Sequence, residues 1–471
     1  MTALGGSAPA AAGGGGGGIS LLAPDGDFMQ EAVRTYLASP VFRAARYEEL
    51  VLDDEPYRRP VRPDDLRLVD FSSPLSRENF AQLSGLMGHR MLLNIHDAAR
   101  LLLPRTPSAG KWLDYQQFYG PQTRYLGDLI RPHLEAHLFG FVHRDADANA
   151  AKSDKELTDR ATADGAARAG RAAELAASIA AAPEADRRAV LDMLAIQANA
   201  AALNSADRPA ALGALAVGTL PELYAAPAGG SVLRRLAEDS GLKYEPHSYF
   251  QFYLPSTLAQ MNYLAGAALD PGRVFALAGA LYAENLEAAA LDAALTPAVS
   301  AALGRELTAA GPGDDADTAL LDEALAAVAR VGGEFGVAEF ARGLHEYTVL
   351  QEVHHEDRIR QLTWINDMPA HAAKARRLQS AITEHAIDVD LDTFVESWEE
   401  CSTTHVHGED RLLVIETGQM EFWNCFGRRH EYKPGDMAFI PKHRLHGSVV
   451  LSGECVYHQP VITEELDRRF G

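Results

Sequence analysis

The sequence predicts a multidomain α+β protein that is helical over most of its length and all-β at its C-terminal end. Its 471 residues exceed what one hydrophobic core usually organises, so more than one domain is expected. From about residue 171 to 385 the chain is rich in alanine, with apolar residues at helical spacing and few Gly or Pro. From residue 386 on, short β-prone runs alternate with glycine-containing turns, which is typical of an all-β barrel or sandwich.

The N-terminal part is predicted to contain three segments. Residues 1–20 are rich in Ala and Gly and lack the basic and apolar regions of a signal peptide, so a disordered tail is expected. Residues 21–143 carry helical patterns, as in 27–38 and 77–103, and are predicted to form a first helical domain. The polar stretch 144–170 is expected to be a linker or a solvated helix.

The remaining elements follow from the change of period near residue 386. Long helices of a bundle in 171–385 are predicted at 184–202, 248–268, 271–294, 317–330 and 337–366. In the C-terminal domain, 386–471, strands are predicted at 412–415, 420–423, 437–440 and 448–451, with a final strand at 455–457.

Composition excludes several classes of function. A net charge of −22 argues against a nucleic-acid partner, because phosphate binding needs a basic surface. We find no apolar run of the length that a membrane span requires. The three cysteines do not indicate a disulfide framework, so a cytoplasmic protein is expected.

Three histidines carry the chemistry that the sequence predicts. His405 and His407 flank Val406, and alternation along an extended chain places both imidazoles on one face. A Gly-x5-Pro run at 435–441 leads through a turn to His446. This arrangement resembles the two motifs of the cupin fold and predicts a metal site. The competing interpretation is that these are surface histidines of a hairpin, or polar residues of a cupin without metal.

Cupins usually carry a glutamate ligand seven residues before the position of Gly418, where this chain has Arg411. A guanidinium group cannot bind a cation, so the predicted site has three imidazoles. Up to three positions on the metal then stay open for O₂ and a bidentate substrate. Arg411 itself either holds a substrate carboxylate beside the metal or pairs with a neighbouring acid.

Other polar residues near the motif are predicted to have no role as ligands. Glu409 and Asp410 fall at the wrong places in the pattern. His443 is expected to be a solvated turn residue, and His458 a packed histidine rather than one that lines the mouth of the site. The cysteines at positions 401, 425 and 455 are expected to be small buried side chains.

Runs spread over the chain resemble one family, the N-nitrosourea-forming metalloenzymes of streptozotocin biosynthesis. The matching runs lie at 54–59, 77–79, 140–141, 249–254, 279–282, 405–407, 444–447 and 454–457. The resemblance implies a helical dimerisation domain, a haem-oxygenase-like helical bundle that holds a diiron centre, and a C-terminal cupin barrel with one iron. It also places His405, His407 and His446 on the iron ligands. We assign Arg411 and Tyr457 as further catalytic residues.

The central bundle departs from the family pattern. The family has an H-x3-D-x2-H run on a late helix, whereas between His143 and His345 this chain has only His247. Asn285 occupies a place where the family has a carboxylate, and Ser205 and the alanine after it lie near another. We therefore expect no diiron centre.

Four groups that resemble ligands in the bundle are expected to serve other purposes. Glu284, Glu287 and Glu323 are interpreted as solvated or capping acids. The run 354–357 begins with two adjacent histidines, which point about 100° apart on a helix, so a solvated face is expected.

These observations predict a cupin-type Fe(II) oxygenase with one iron per chain. O₂ and a small molecule with an N-hydroxylated amino acid or guanidine group are the expected substrates, and an upstream N-oxygenase is the expected supplier. The resemblance also implies a homodimer. The alternatives are a cupin dioxygenase or isomerase acting on an unrelated small molecule, and a non-catalytic partner of an active relative.

Overall fold

The computed structural model describes residues 26–38, 75–98, 112–113, 116, 119–149, 154–203, 231–242, 249–309, 314–398, 402, 404–425 and 427–471. The predicted tail, the matching run 54–59, Ser205, His247 and Cys401 lie outside these residues.

Helices occupy the described chain up to residue 384 and return at its end. They are α1 (Gly26–Leu37), α2 (Leu83–Ala98), α3 (Pro121–Ala148), α4 (Asp154–Ala181), α5 (Arg187–Leu203), α6 (Val232–Asp239), α7 (Pro255–Leu269), α8 (Val274–Leu303), α9 (Asp314–Asn366), α10 (Met368–Glu384) and α11 (Glu464–Phe470). Short 3₁₀ turns at Phe250–Phe252 and Pro271–Arg273 precede α7 and α8.

The strands follow α10. They are β1 (Thr393–Ser397), β2 (Asp410–Thr417), β3 (Met420–Cys425), β4 (Arg428–Tyr432), β5 (Met437–Ile440), β6 (Gly447–Val450), β7 (Glu454–His458) and β8 (Val461–Ile462). The prediction of an α+β protein with its strands near the C-terminus is confirmed.

The helical core is centred on the packing of α8 against α9. Gly279 and Gly343 permit this close approach, because a Cβ atom at Gly343 would lie 2.0 Å from the Ala276 carbonyl oxygen. Helix α9 covers the two helices predicted at 317–330 and 337–366, which meet at a kink where Gly333 has φ of 57°. The sequence thus placed the break correctly, since only glycine adopts this conformation without strain.

The strands form two antiparallel sheets. One has the order β1-β7-β2-β5 with β8 beside β2, and the other has the order β4-β3-β6. Along β2, Leu413 and Ile415 pack with Phe422 of the second sheet, so this face lies between the sheets. Leu412 on the opposite face packs under α10 and α11.

The helical and β parts share a continuous apolar junction. Val406, Trp423 and Leu445 from the β part pack with Phe250 and Tyr253 from the helical part. The C-terminal end of α9 also enters the β core, where its Trp364 is buried. The junction therefore places helical side chains directly against the segments that carry the predicted metal ligands.

Some elements differ from the prediction. Helix α4 begins within the stretch predicted as a linker or solvated helix, and it packs against α8 and α9. Strands β1 and β4 and helix α11 were not predicted because their sequences are short and mostly polar, and β8 was not predicted because it has only two residues. The predicted domain boundaries stay predictions.

One described helical segment, Pro271–Leu303, is long and apolar enough to cross a membrane by length and composition alone, although no such run was expected. It carries Glu284, Glu287 and Asp292, all buried among neighbouring helices. Buried acids with protein partners are typical of a bundle core helix.

Candidate metal centre

His405, His407 and His446 come together although the third lies about forty positions along the chain. An antiparallel bridge joins the first and last of them, with N–O distances of 2.9 Å and 3.1 Å between their backbones. The three ring centroids lie 4.5–4.9 Å from one another. One potential ligand atom from each lies within 4.8 Å of the others. Among the described residues, no other group of three His, Cys, Asp or Glu side chains is this close.

The orientation of the rings fits a metal ion. The Nδ1–H of His446 donates to the Arg444 carbonyl oxygen at 2.7 Å, so Nε2 keeps its lone pair. The Nε2 atoms of His407 and His446 are buried and have no hydrogen-bond partner among the described residues. Buried polar atoms normally have partners, and a cation among three imidazoles would supply the missing one. Imidazole ligands suit Fe, Zn, Cu and Ni.

The surroundings keep the imidazoles of His407 and His446 neutral. Burial, followed by the neighbouring imidazoles and Arg411, lowers the pKa of His407. Burial is also the main cause that holds the pKa of His446 well below its ordinary value. The ring of His446 lies 5.7 Å from Phe422 and 6.2 Å from Trp364, which form an apolar wall. Neutral imidazole is the form that binds metals, so protons compete little for the site.

Arg411 lies on the same face of β2 as the inward-pointing Leu413. Its guanidinium group contacts the Asp392 carboxylate and donates to the Gln459 carbonyl oxygen at 3.1 Å. The described contacts thus match the alternative in which Arg411 pairs with a neighbouring acid. A role in substrate binding stays a prediction.

Tyr457 is buried in the core between the sheets. Its hydroxyl group donates to Glu396 Oε1 at 2.9 Å, and its ring stacks on Phe394 at a centroid distance of 5.1 Å. Its catalytic role also stays a prediction.

The neighbouring groups mostly lie where the sequence placed them. Asp410 accepts from the backbone N–H of Lys442 at 2.7 Å and Glu409 is exposed, so neither joins the three imidazoles. His458 is half-buried and contacts Thr393 and Glu416 at the rim of the sheet.

Two further expectations near the site have different outcomes. His443 is half-buried in a left-handed conformation with φ of 59°, and its Nε2 atom is buried, so the expectation of a solvated residue was wrong. Cys425 and Cys455 are buried as expected, and burial raises the pKa of each thiol to about 11.

Acids and histidines of the helical bundle lie in places that differ from two of the predictions. Glu284 and Glu287 are buried rather than solvated, whereas Glu323 is exposed as expected. Glu287 lies between two guanidinium groups, with Arg171 at 3.3 Å and Arg358 at 3.6 Å. Two cations beside this carboxylate leave it unsuited to a metal ion.

His354 and His355 are also buried, which contradicts the predicted solvated face. His354 Nδ1 is 2.9 Å from the Ser256 hydroxyl group, and His355 Nε2 is 2.8 Å from a Glu174 carboxylate oxygen. The two imidazoles point to different partners and do not share a site. The prediction failed because neighbouring helices cover both faces of α9.

The residues that hold the histidine segments in place could not be identified from the sequence. Thr404, directly before His405, contacts Arg90 and Gln251, while Leu445, directly before His446, contacts Gln361. These partners lie 84 or more positions away along the chain, and a single sequence carries no pattern that joins such pairs.

The fold and the site together define an α+β protein with a candidate three-histidine metal centre. No protein-family model matches the chain. The chain is similar to nitrosourea synthase of Streptomyces achromogenes subsp. streptozoticus, with 27% identity over 467 aligned residues. The alignment covers 92% of this chain and 95% of that enzyme, which confirms the resemblance stated from the sequence. At this level the similarity supports an oxidative enzyme of specialised metabolism.

Proposed function

We propose that this protein is a cupin-type, Fe(II)- and O₂-dependent oxygenase that oxidatively rearranges an N-hydroxylated amino acid or guanidine. The convergence of His405, His407 and His446 carries this proposal, because three imidazoles whose ligand atoms lie within 4.8 Å of one another form a donor set for one iron. The similarity to nitrosourea synthase supports the oxidative chemistry and the nitrogen-rich class of substrate. A cupin barrel for the two sheets and a haem-oxygenase-like bundle for the helices belong to the same proposal.

Iron at this site would activate O₂ and bind a chelating substrate, while the chain's own residues orient that substrate. Phe422 and Trp364 exclude water from one side of His446. Arg411 carries the positive charge that a substrate carboxylate needs, once the carboxylate displaces the contact with Asp392. Tyr457, held by Glu396, places a hydroxyl group in the same core.

The bundle serves as a scaffold in this proposal and makes no N-hydroxyl group of its own. Its buried Glu287 is neutralised by Arg171 and Arg358 instead of a metal. A separate N-oxygenase must therefore supply the substrate. A homodimer and a cytoplasmic location stay predictions that accompany this proposal.

Iron content tests the site. The protein is loaded with Fe(II) without oxygen, desalted and analysed as the wild type and as His405→Ala. About one iron per chain, lost in the variant, is the expected result. His458→Ala is the matched control, because His458 contacts Thr393 and Glu416 rather than the other imidazoles. About three irons per chain, with two left in His405→Ala, would contradict the assignment of the bundle as a scaffold.

Oxygen uptake tests the reaction. The iron-loaded protein is mixed with an N-hydroxylated arginine analogue or with the parent arginine analogue. Uptake with the first and not with the second is expected, because the bundle does not supply the hydroxyl group. Equal uptake with the parent compound would contradict the requirement for a separate N-oxygenase. Uptake that persists in His446→Ala would remove the three-histidine site from the reaction.

A further inference from the structure

We propose that Gln361, on helix α9 of the bundle, is a positioning residue for the metal centre. It fixes the backbone segment that carries His446, so that the bundle sets the metal affinity of a site built from β-segments. This inference rests on the proposed metal site and adds a residue that acts on it from outside.

The side-chain amide of Gln361 makes three hydrogen bonds. Nε2 donates to the carbonyl oxygens of Asn424 at 2.8 Å and of Leu445 at 2.9 Å. Oε1 accepts from the backbone N–H of Leu445 at 3.0 Å. The side chain thus holds both backbone polar groups of the residue directly before His446. Gln361 is 2% exposed, so water does not replace these bonds when they break.

Trp364, one helical turn after Gln361, also contacts the β part and constrains His446. Positions three apart share a helix face, so both side chains point at the β part. The indole Nε1–H donates to the Phe439 carbonyl oxygen at 3.3 Å. Its ring meets the imidazole of His446 edge-on, with 6.2 Å between centroids and 86° between planes. The helix end therefore limits both the backbone of the ligand segment and the rotation of the ligand ring.

The segment that carries His405 is held by the bundle as well. Arg90 of α2 donates to the Thr404 carbonyl oxygen at 2.8 Å and to its hydroxyl oxygen at 3.0 Å. The backbone N–H of Thr404 donates to Gln251 Oε1 at 3.1 Å. His405 and His446 are joined by backbone hydrogen bonds, so the contacts of the bundle with Thr404 and with Leu445 constrain the same pair of segments.

The physical consequence is preorganisation of the ligands. Partners beyond the ligands that orient them typically change metal affinity by about 10–100-fold. Loss of the three Gln361 bonds leaves the backbone before His446 free to shift, and ligand atoms that must converge on one ion tolerate little movement. A residue of the bundle is thereby expected to control a property of the metal site.

The experiment compares Gln361→Met with Gln351→Met. Both replacements keep the side-chain length nearly unchanged and remove a buried amide from α9. Gln351 donates to the Ala283 carbonyl oxygen at 2.9 Å and is bonded within the bundle. Co(II) is titrated into each metal-free protein, with its visible absorption as the signal for binding. We expect affinity about tenfold weaker or more for Gln361→Met and wild-type affinity for Gln351→Met.

Hydrogen exchange of the metal-free proteins gives a second readout. Peptides that contain Leu445 should exchange faster in Gln361→Met and at the wild-type rate in Gln351→Met, because only the first variant loses a partner of that N–H group. If Gln361→Met does not fold, Gln361→Asn keeps the amide but withdraws it by one methylene group, and the same results are expected in weaker form.

The outcomes separate the two proposals. Wild-type Co(II) affinity in a folded Gln361→Met or Gln361→Asn protein would overturn the positioning role, as would equal weakening in Gln351→Met. A wild type that binds no Co(II) or Fe(II) would overturn the metal centre. Faster exchange confined to the Leu445 peptides would in that case still support the role of Gln361 in holding the segment.

Discussion

Glu346 offers a buried charge whose effect on stability follows from its surroundings. Its carboxylate in α9 accepts from the Tyr263 hydroxyl at 2.6 Å, from His143 Nδ1 at 2.8 Å and from Arg342 Nε at 2.9 Å. Burial by itself would raise the pKa of this carboxyl group. The bonds and charges, of which His143 contributes most, outweigh it and lower the pKa from 4.5 to about 2.

The ionised carboxylate therefore stabilises the folded protein above pH 4.5, and this contribution is lost as the pH falls towards about 2. The difference between the two pKa values corresponds to a contribution of about 3 kcal/mol to the free energy of unfolding at pH 7. Roughly half of this contribution remains at pH 3. Glu346→Gln keeps the shape and removes the charge. We expect this variant to be about 3 kcal/mol less stable than the wild type at pH 7, with the gap narrowing below pH 4.5.

Urea-induced unfolding, followed by far-ultraviolet circular dichroism between pH 7 and pH 3, measures this gap. Glu334→Gln is the matched control, because Glu334 is an exposed glutamate on the same helix. A gap of the same size at every pH would refute the reasoning, since it would trace the loss to packing instead of charge. So would an equal loss in the control variant.

Three further substitutions have defined outcomes. Glu287→Gln leaves the buried Arg358 without its carboxylate and should lower the free energy of unfolding in urea by about 3–5 kcal/mol. An unchanged free energy of unfolding would contradict an ion pair in the bundle core. Gly343→Ala places a Cβ atom 2.0 Å from the Ala276 carbonyl oxygen, so thermal unfolding should show a loss of about 1–3 kcal/mol or more; an unchanged melting temperature would contradict the close helix approach. Arg411→Gln should raise the KM of a carboxylate-bearing substrate by about tenfold or more at unchanged iron content, and a fall in iron content would instead make Arg411 a support of the histidines.

Local patterns in the sequence were enough to predict that His405, His407 and His446 come together. His405 and His407 alternate on an extended segment, and the glycine and proline punctuation before His446 predicts a turn that returns the chain. Both signals are local, and the bridge between the two segments follows once the strands pair. The break in α9 was also local, because it depends on the glycine at position 333.

Burial of polar residues on the helices was harder to predict. The pattern of apolar and polar residues predicts that His354, His355 and Glu287 lie on the surface, because each is polar. In the structure each has a partner from another helix, such as Glu174 for His355 and Arg171 for Glu287. Polarity alone does not distinguish a solvated side chain from one whose partner arrives with a neighbouring helix.

The sequence by itself determined that helices are followed by strands near residue 386, that α9 has a break, and which three histidines come together. These features depend on residues close together in the chain. Only the tertiary structure decided that Arg411 contacts Asp392 and that Gln361 holds the segment before His446. Each of these contacts joins elements whose relative positions are set by the packing of the whole core. A hydrogen bond requires its atoms to be placed within a few tenths of an ångström, and no local periodicity specifies that placement.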